Sequence, residues 1–300
     1  MSSDRASVEK EVAFIGLGKM GLPMASNLLA KGFTVTGFDL SAQARDEFVT
    51  RGGRSADSAR AAAAGHKVII TMLPTSAIVM DCLIGSGDAV ADVPAGALVI
   101  DMSSSVPGDT LKLGAELEKR GISLVDAPVS GGVTRAISGQ LAIMAGSEHV
   151  DRALPYLEAM GSRIFRTGKL GSGHVMKVLN NYVSAAGALA TMEALILGRD
   201  FGLDEELITV ILNASTGRNN TTERKVKEFI LSKSWASGFE MALMSKDVSI
   251  AAALSREMGL NLEMLAETEK AWQQATALLQ QGADHTEIYR YVDQVSHARK

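Results

Sequence analysis

Short apolar segments alternate with amphipathic ones along the first 170 residues. Several short segments are apolar throughout, as expected for strands of a parallel sheet whose two faces are covered by helices. Helical periodicity separates them, for example at residues 22–31, 42–51 and 106–120. This alternation predicts right-handed crossovers and a doubly wound, mostly parallel α/β sheet. The predicted strands are residues 12–16, 34–39, 68–73, 97–102, 123–127, 141–145 and 163–167.

From about residue 171 the pattern is helical only. Residues 173–201 are rich in Ala, Leu, Val and Met and contain no proline, which predicts one long buried helix. The sequence therefore predicts two domains, an α/β domain over residues 1–170 and an all-helical domain over residues 171–300, joined by the long helix. Further helices are predicted at residues 205–213, 221–231, 247–258 and 262–281.

Composition narrows the class of protein. The 300 residues carry a net charge of −4 and a pI near 5.8, which gives no basic surface for nucleic acid. No apolar run reaches the roughly 18 residues of a membrane span, and residues 1–10 lack the blocks of a signal peptide, so a cytoplasmic protein is predicted. A single cysteine, Cys82, and scattered histidines predict neither a disulfide nor a metal site.

A glycine-rich turn follows the first predicted strand and precedes the first predicted helix. Its glycines, Gly16, Gly18 and Gly21, have the G-x-G-x-x-G spacing of a Rossmann dinucleotide site. They allow a tight turn, close approach of backbone N–H groups to a pyrophosphate, and close helix–strand packing. Asp39 ends the second strand, where a carboxylate accepts hydrogen bonds from ribose hydroxyls and repels a 2′-phosphate. The sequence therefore predicts NAD rather than NADP as the cofactor.

Lys177, near the start of the long helix, is the candidate acid/base. An enzyme that oxidises an alcohol needs a group to take the hydroxyl proton while the hydride leaves, and a lysine with a pKa lowered by burial suits that role. Asn181 lies one helical turn further along the same face, and Ser184 continues the stripe. From this segment alone, a lysine that extends from a helix end into solvent is an equally good interpretation.

The chain resembles the 3-hydroxyisobutyrate dehydrogenase family, also called the β-hydroxyacid dehydrogenases, along essentially its whole length. The resemblance implies a Rossmann domain and a helical domain, joined by a long helix that carries a catalytic lysine. Six segments in the expected order support it: FIGLGKMGLPMASNL from residue 14, TMLP from 71, DMSS from 101, DAPVSGG from 126, GHVMKVLNN from 173 and SKDVSIA from 245.

The resemblance also implies roles for single residues. Lys177 would be the acid/base, and the helical domain would contribute Lys246 to the cofactor, with Asp247 bracing it. Ser104 stands where the family often has threonine beside the nicotinamide ribose, a change that keeps the hydroxyl. The cofactor would further be lined by Lys19, Met20, Asp39, Leu73 and Pro74. The substrate would be bound by Ser130, Gly131, Gly132, Asn180, Asn181 and Ser184.

Two segments depart from the family pattern. Thr134 and Arg135 stand just beyond the predicted carboxylate turn, where many members have a small residue or glycine. Arg135 either recognises a second acidic or polar group of the substrate or points into solvent. Residues 215–220 are polar where some members carry an aromatic residue, which favours a hydroxylated or otherwise polar substrate.

The predicted function is NAD-dependent oxidation of the 3-hydroxyl of a small hydroxy acid, or the reverse reduction. Within the family, a semialdehyde reductase acting on tartronate semialdehyde or sulfolactaldehyde is the alternative. A catalytically idle NAD-binding scaffold is the alternative from another class, and the presence of Lys177, Asn181 and Ser130 disfavours it. The family resemblance further implies a homodimer or homotetramer.

Overall fold

The computed structural model describes residues 8–298. Its chain divides into two compact units, Met1–Lys177 and Val178–Lys300. No helix among the described residues is long and apolar enough to cross a membrane.

The first unit is built on one twisted sheet. In chain order its strands are β1 (Glu11–Ile15), β2 (Thr34–Phe38), β3 (Arg54–Ser55), β4 (Val68–Thr71), β5 (Leu98–Asp101), β6 (Ser123–Asp126), β7 (Val129–Ser130), β8 (Leu141–Gly146) and β9 (Gly161–Gly168). They lie in the order β3-β2-β1-β4-β5-β6-β8-β7, with β9 paired to β8. Strands β1 to β6 pair in parallel, whereas β8 is antiparallel to β6 and β7. The predicted Rossmann-type sheet is confirmed.

Helices cover both faces of this sheet. They are α1 (Gly21–Ala30), α2 (Ala42–Thr50), α3 (Ala59–Ala63), α4 (Ser76–Ile84), α5 (Pro107–Glu118), α6 (Gly132–Ile137) and α7 (Val150–Met160). Neighbouring strand residues face opposite sides, so that Phe14 packs in one hydrophobic cluster and Ile15 in the other. This double burial explains why central strands such as β1, β4 and β5 are mostly apolar. Cys82 on α4 is partly buried, and burial raises the pKa of its thiol to about 11.

Helix α8 (Ser172–Phe201) is 30 residues long and agrees with the prediction to within one residue. The second unit continues with α9 (Glu205–Ala214), α10 (Asn220–Arg224), a π-helix (Val226–Leu231), α11 (Met241–Glu257), α12 (Glu263–Leu278), a 3₁₀ turn (His285–Glu287) and α13 (Ile288–His297). Trp272 of α12 is fully buried, and its indole Nε1 donates to the carbonyl of Ala185 on α8 at 3.3 Å.

One predicted helix is divided in the structure. Residues 221–231 were expected to form a single α-helix, but α10 ends at Arg224 and the chain continues from Val226 as a π-helix. Lys225 stands at the junction with φ −123°. A capping box at Asn219 fixes where α10 starts, because the Asn219 side chain accepts from Thr221 N and Thr222 N.

Candidate active site

The glycine turn after β1 needs glycine at two of its three positions for steric reasons. Gly16 has φ +99°, and a Cβ there would lie 2.3 Å from the carbonyl oxygen of Met72. A Cβ on Gly21 would lie 1.8 Å from the carbonyl oxygen of Gly16, so α1 starts in direct contact with the turn. A Cβ on Gly18 would meet no atom within 4 Å, which leaves an open cradle at this point. The first and third glycines shape the turn, and the second keeps its surface clear.

Helix α1 presents its N-terminus at the carboxyl edge of the sheet. Its N-cap residue, Met20, offers no side-chain hydrogen bond, and the first turn holds no acidic residue. The first backbone N–H groups of a helix lack intrahelical acceptors and carry a partial positive charge, which attracts phosphate groups. Strand β1 lies between β2 and β4, where the strand order reverses, and this is the usual position of a dinucleotide crevice. The turn and the helix end therefore fit a bound pyrophosphate.

Asp39 is fixed directly to the glycine turn. Its Oδ2 accepts from the backbone N–H of Leu17 at 2.7 Å, and its Oδ1 accepts from Ser41 N at 2.8 Å. Arg45, which belongs to no motif of the sequence, also lies here. Its Nη1 donates to the carbonyl of Asp39 at 2.7 Å, and its guanidinium lies 5.9 Å from the centre of the Phe38 ring. A carboxylate and a guanidinium thus both stand at the end of β2.

The loops after β4 and β5 are joined by side-chain hydrogen bonds. Ser103 Oγ accepts from Leu73 N at 2.9 Å. The buried Asp101 accepts at Oδ1 from Thr71 Oγ1 at 2.8 Å and from Ser103 N at 3.1 Å. The predicted cofactor residues Leu73, Pro74 and Ser104 therefore lie on two loops that leave neighbouring strands at the same edge as the glycine turn.

A second glycine turn follows β7. Gly131 has φ +133° and Gly132 has φ +68°, so the two residues after Ser130 have backbone conformations that favour glycine. A Cβ on Gly131 would lie 2.5 Å from Cδ of Arg135, which shows that the stem of this arginine packs over the turn. Arg135 is exposed, and its guanidinium has no carboxylate partner within residues 8–298.

Lys177 lies in the second turn of α8 and is buried, with 8% of its surface exposed. Its Nζ donates to the carbonyl oxygen of Val129 at 2.8 Å, one residue before Ser130. The side chain is therefore directed towards the segment after β6 and does not extend into solvent from the helix end.

The remaining predicted residues lie in the second unit. Asn181 is buried, and its Nδ2 donates to Oδ2 of Asp247 at 2.6 Å. Its Oδ1 accepts from Asn180 Nδ2 at 3.1 Å, and Ser184 follows on the same helix. Oδ1 of Asp247 lies 3.6 Å from Nζ of Lys246 on α11. The family resemblance implies a contact of Asp247 with Lys246, and in the structure Asp247 also contacts Asn181.

Three buried residues that the sequence analysis gave no role meet where α8 begins. Asp126, at the end of β6, accepts from Gly171 N and from His174 N, each at 2.8 Å. The His174 ring lies 3.7 Å from a carboxylate oxygen of Asp126 and 3.7 Å from one of Asp101. Burial raises the pKa of the Asp126 carboxyl, and the His174 ring opposes that shift. No spacing pattern identifies this cluster, because its members come from three separate segments.

A second buried cluster lies within the helical unit. His285 Nδ1 is 3.0 Å from the carbonyl of Phe239, which only accepts, so Nδ1 carries the hydrogen. Nε2 of His285 therefore accepts from Lys225 Nζ at 2.7 Å. Burial lowers the pKa of the Lys225 ammonium to about 8. Burial and then the charge of Lys225 lower the pKa of His285 to about 4, against the opposing effect of Asp284.

Comparison with known proteins places both halves of the chain. Residues 11–168 match the family model described as the NAD binding domain of 6-phosphogluconate dehydrogenase. Residues 171–292 match the model described as NAD-binding of NADP-dependent 3-hydroxyisobutyrate dehydrogenase. Together the two models cover the strands, the long helix and most of the helical unit.

Named relatives are similar over most of their length. The chain is 35% identical to 2-(hydroxymethyl)glutarate dehydrogenase of Eubacterium barkeri over 89% of this chain and 96% of that protein. It is 38% identical to NAD-dependent L-serine dehydrogenase of Pseudomonas aeruginosa over 81% of this chain and 84% of that protein. A structure of Mycobacterium tuberculosis 3-hydroxyisobutyrate dehydrogenase with L-serine superposes with a TM-score of 0.86 at 31% identity, covering 94% of this chain and 99% of that one.

Proposed function

Because the chain belongs to the 3-hydroxyisobutyrate dehydrogenase family of NAD-binding oxidoreductases, we propose that Lys177 is the acid/base of an enzyme that oxidises the C3 hydroxyl of a small 3-hydroxy acid, or catalyses the reverse reduction. The observation that supports this most directly is the buried Nζ of Lys177, 2.8 Å from the carbonyl of Val129 and next in sequence to the Ser130 turn. A buried amine beside an anion-binding turn is suited to proton transfer with a bound hydroxy acid.

The substrate carboxylate is proposed to bind at Ser130, Gly131 and Gly132. Successive backbone N–H groups in such a glycine turn form a concave site for an anion, and the Ser130 hydroxyl adds a donor. Anchoring the carboxylate there places the hydroxyl of a 3-hydroxy acid two carbons further on, towards the Lys177 amine. The unprotonated amine takes the hydroxyl proton in the oxidative direction and the ammonium returns it in the reductive direction.

The cofactor residues predicted from the sequence are retained as proposals. The open cradle at Gly18 and the N-terminus of α1, whose N-cap residue makes no side-chain hydrogen bond, fit the pyrophosphate, with Lys19 and Met20 between them. Asp39 is proposed to bind the adenosine ribose of NAD, and the nicotinamide at the other end of the cofactor would supply the hydride acceptor. Leu73, Pro74 and Ser104 are proposed to line the nicotinamide side. Lys246 as a cofactor contact, and Asn180, Asn181 and Ser184 as substrate contacts, remain predictions.

A second candidate is an enzyme for a hydroxy acid that carries two anionic groups. The stem of Arg135 packs over Gly131, and its unpaired guanidinium is a bidentate donor for carboxylate or sulfonate. The relative named 2-(hydroxymethyl)glutarate dehydrogenase acts, by that name, on a dicarboxylate. Arg135→Ala should then raise KM for a dianionic substrate by about tenfold or more and leave a monoanionic one unaffected. Equal effects on both would remove this candidate.

The test of the proposed function is a screen with NAD and NADP at alkaline pH, following absorbance of the reduced cofactor. The panel includes 3-hydroxyisobutyrate, L-serine, glycerate, threonate, 2-(hydroxymethyl)glutarate and, with NADH, sulfolactaldehyde and tartronate semialdehyde. Lys177→Ala should remove most of the turnover on the best substrate while NAD affinity stays nearly unchanged. The exposed Lys169→Ala is the matched control and should behave as wild type.

Two outcomes would contradict the proposal. Turnover that survives in Lys177→Ala would exclude this lysine as the acid/base. Clear NAD binding without turnover of any panel member, in either direction, would favour the idle scaffold.

The exposed apolar residues of the second unit are proposed to contact another copy of the chain. Five of them lie on two consecutive helices, α8 and α9: Val183, Leu197, Phe201, Val210 and Ile211. Large apolar side chains exposed on a folded protein favour an interaction site, and a homodimer or homotetramer would cover them. Leu197→Glu with Phe201→Glu should lower the mass measured by analytical ultracentrifugation, whereas an unchanged mass would place the interface elsewhere. A cytoplasmic location is likewise proposed from composition.

A further inference from the structure

The first turn of α8 is held by a buried carboxylate rather than by a cap of its own. Asp126 accepts from Gly171 N and His174 N with its two carboxylate oxygens, each at 2.8 Å, and its side chain is fully buried. A carboxylate at this position satisfies helix N–H groups that otherwise have no acceptor, and it lies at the positive end of the helix dipole. The start of α8 is therefore fixed to the end of β6.

Two glycines leave room for this contact. A Cβ on Gly173 would lie 2.3 Å from the carbonyl oxygen of Met144 and 2.8 Å from Oδ2 of Asp126. A Cβ on Gly146 would lie 2.7 Å from Oδ1 of the same carboxylate. A side chain at either position would collide with these atoms, so glycine at both positions allows the close approach of helix and carboxylate.

His174 extends the attachment to two further segments. Its Nε2 is 3.1 Å from the carbonyl oxygen of Ser103, so Nε2 carries a hydrogen, and its Nδ1 is 2.8 Å from Oγ1 of Thr110 on α5. The ring is fully buried and stands between the carboxylates of Asp101 and Asp126. The first turn of α8 is thus connected to the ends of β5 and β6 and to α5.

The segment that begins at Asp126 also holds the far end of Lys177. Val129, three residues after Asp126, accepts from Lys177 Nζ at 2.8 Å. Lys177 itself follows His174 by three residues, about one helical turn. Residues 126–129 therefore fix both the backbone from which Lys177 projects and the nitrogen at its tip.

We propose that Asp126 and His174 are positioning residues that set the distance between the Lys177 amine and the Ser130 turn. This inference rests on the proposed role of Lys177. Catalysis by a positioned base is sensitive to distance, and a displacement of about 1 Å lowers a rate by about 100-fold. A merely structural pair would instead reduce stability and leave the rate of each folded molecule unchanged.

The principal variant is Asp126→Asn, which keeps the shape but removes one of the two acceptor interactions. We expect kcat per NAD-binding site to fall about 100-fold, while the Kd for NAD changes less than about twofold. With substrate deuterated at the carbinol carbon, the primary isotope effect should rise, because the chemical step becomes rate-limiting. Asp204→Asn is the matched control, since Asp204 caps a different helix, α9, by accepting from Leu207 N at 2.9 Å. It should change neither quantity.

His174 provides a second and independent pair of variants. His174→Gln retains a donor towards the Ser103 carbonyl, whereas His174→Leu retains none. Gln should keep kcat within about tenfold of wild type and Leu should lose about 100-fold, with thermal unfolding recorded for both. If Asp126→Asn does not fold, the His174 variants test the inference alone. The inference would be overturned if His174→Gln and His174→Leu both had the kcat of the wild type.

The inference and the proposed function fail in different ways. A folded Asp126→Asn protein with kcat per site within about threefold of wild type and an unchanged isotope effect would overturn the positioning role alone, provided that Lys177→Ala is inactive. Turnover retained in Lys177→Ala would overturn the proposed function itself.

Discussion

The side-chain amide of Asn181 donates to the carboxylate of Asp247 at 2.6 Å, and both residues are buried. A carboxylate only accepts, so this contact fixes which end of the amide is nitrogen. The carbonyl oxygen of Asn181 therefore points away from Asp247 and accepts from Asn180 Nδ2. Asp247 thus leaves the acceptor end of the Asn181 amide, rather than the donor end, for the proposed contact with a substrate hydroxyl.

Asp247→Asn should disturb this orientation. An amide at position 247 can present its own NH₂ to Asn181 and favour rotation of the Asn181 side chain, which would exchange its acceptor for a donor. Since an unmatched buried polar group costs about 1–3 kcal/mol, kcat/KM should fall about tenfold or more, with little change in NAD affinity. Steady-state kinetics and NAD titration measure both, and Asp200→Asn, on the exposed end of α8, serves as control. Wild-type kinetics in Asp247→Asn would show that the orientation is irrelevant.

Asp39→Ala should weaken discrimination against NADP. The carboxylate is fixed by Leu17 N and Ser41 N, so its position at the end of β2 does not depend on the cofactor. Its removal leaves the Arg45 guanidinium, which donates to the backbone carbonyl of residue 39, at the same end of β2. The ratio of kcat/KM for NADP to that for NAD should rise about tenfold or more, as expected for loss of a hydrogen-bonded charge. If the ratio stays the same, Asp39 does not select the cofactor.

Replacement of Gly21 or of Gly18 in the first turn by alanine should have different effects on thermal stability and on NAD binding. Gly21→Ala places a Cβ 1.8 Å from a backbone carbonyl and should destabilise the fold as well as abolish NAD binding. Gly18→Ala meets no protein atom within 4 Å, so thermal unfolding should be unchanged while NAD affinity falls about tenfold or more. Calorimetric titration and melting curves distinguish the two. Full NAD affinity in Gly18→Ala would move the pyrophosphate away from this cradle.

The helical unit should lose stability in mild acid because of His285. In the folded protein the pKa of His285 is lowered to about 4, whereas an unfolded histidine has a pKa near 6.5. Between these two pH values the unfolded state therefore binds more protons than the folded state. The contribution of the neutral ring is therefore complete above about pH 6.5 and decreases as the pH falls towards 4. The loss is on the order of 1–3 kcal/mol.

His285→Gln, which keeps an acceptor for Lys225, is the matched variant for this effect. Urea unfolding of variant and wild type between pH 4 and 7 should give curves that converge in acid. Hydrogen bonds to the Asp293 carbonyl and to Asp200 raise the pKa of His297. This histidine therefore changes the pH dependence of stability in the opposite sense, but equally in both proteins, so that its effect cancels in the comparison. Parallel curves would exclude His285 as the cause.

Local patterns in the sequence predicted most of the elements that form the site. The strands that end at Ile15, Phe38, Thr71 and Asp101 were placed to within two residues at that end, because each is an apolar run bounded by a turn or a polar residue. The glycine turn was identified for the same reason, since its spacing is local. The roles of its residues remain proposals.

The hydrogen bonds that hold Lys177 and Asn181 in place could not be predicted from such local patterns. Asp126 contacts residues 45 and 48 positions away, and Asp247 contacts Asn181 over 66 positions. Hydrogen bonds of this kind depend on tertiary packing and leave no period in the sequence. The histidines were considered only for metal-ligand spacing, so the buried His174 was set aside. A polar residue at the end of a buried strand, as Asp126 is, was the available signal.

Cys82 makes this protein convenient for site-specific labelling. It is the only cysteine of the chain, and a thiol with a pKa of about 11 is ionised in roughly one molecule in ten thousand at neutral pH. Maleimides react with the thiolate, so the native side chain will compete poorly with an exposed one. A cysteine introduced beside Arg135 or on α11 can therefore carry a fluorophore or spin label without prior removal of Cys82.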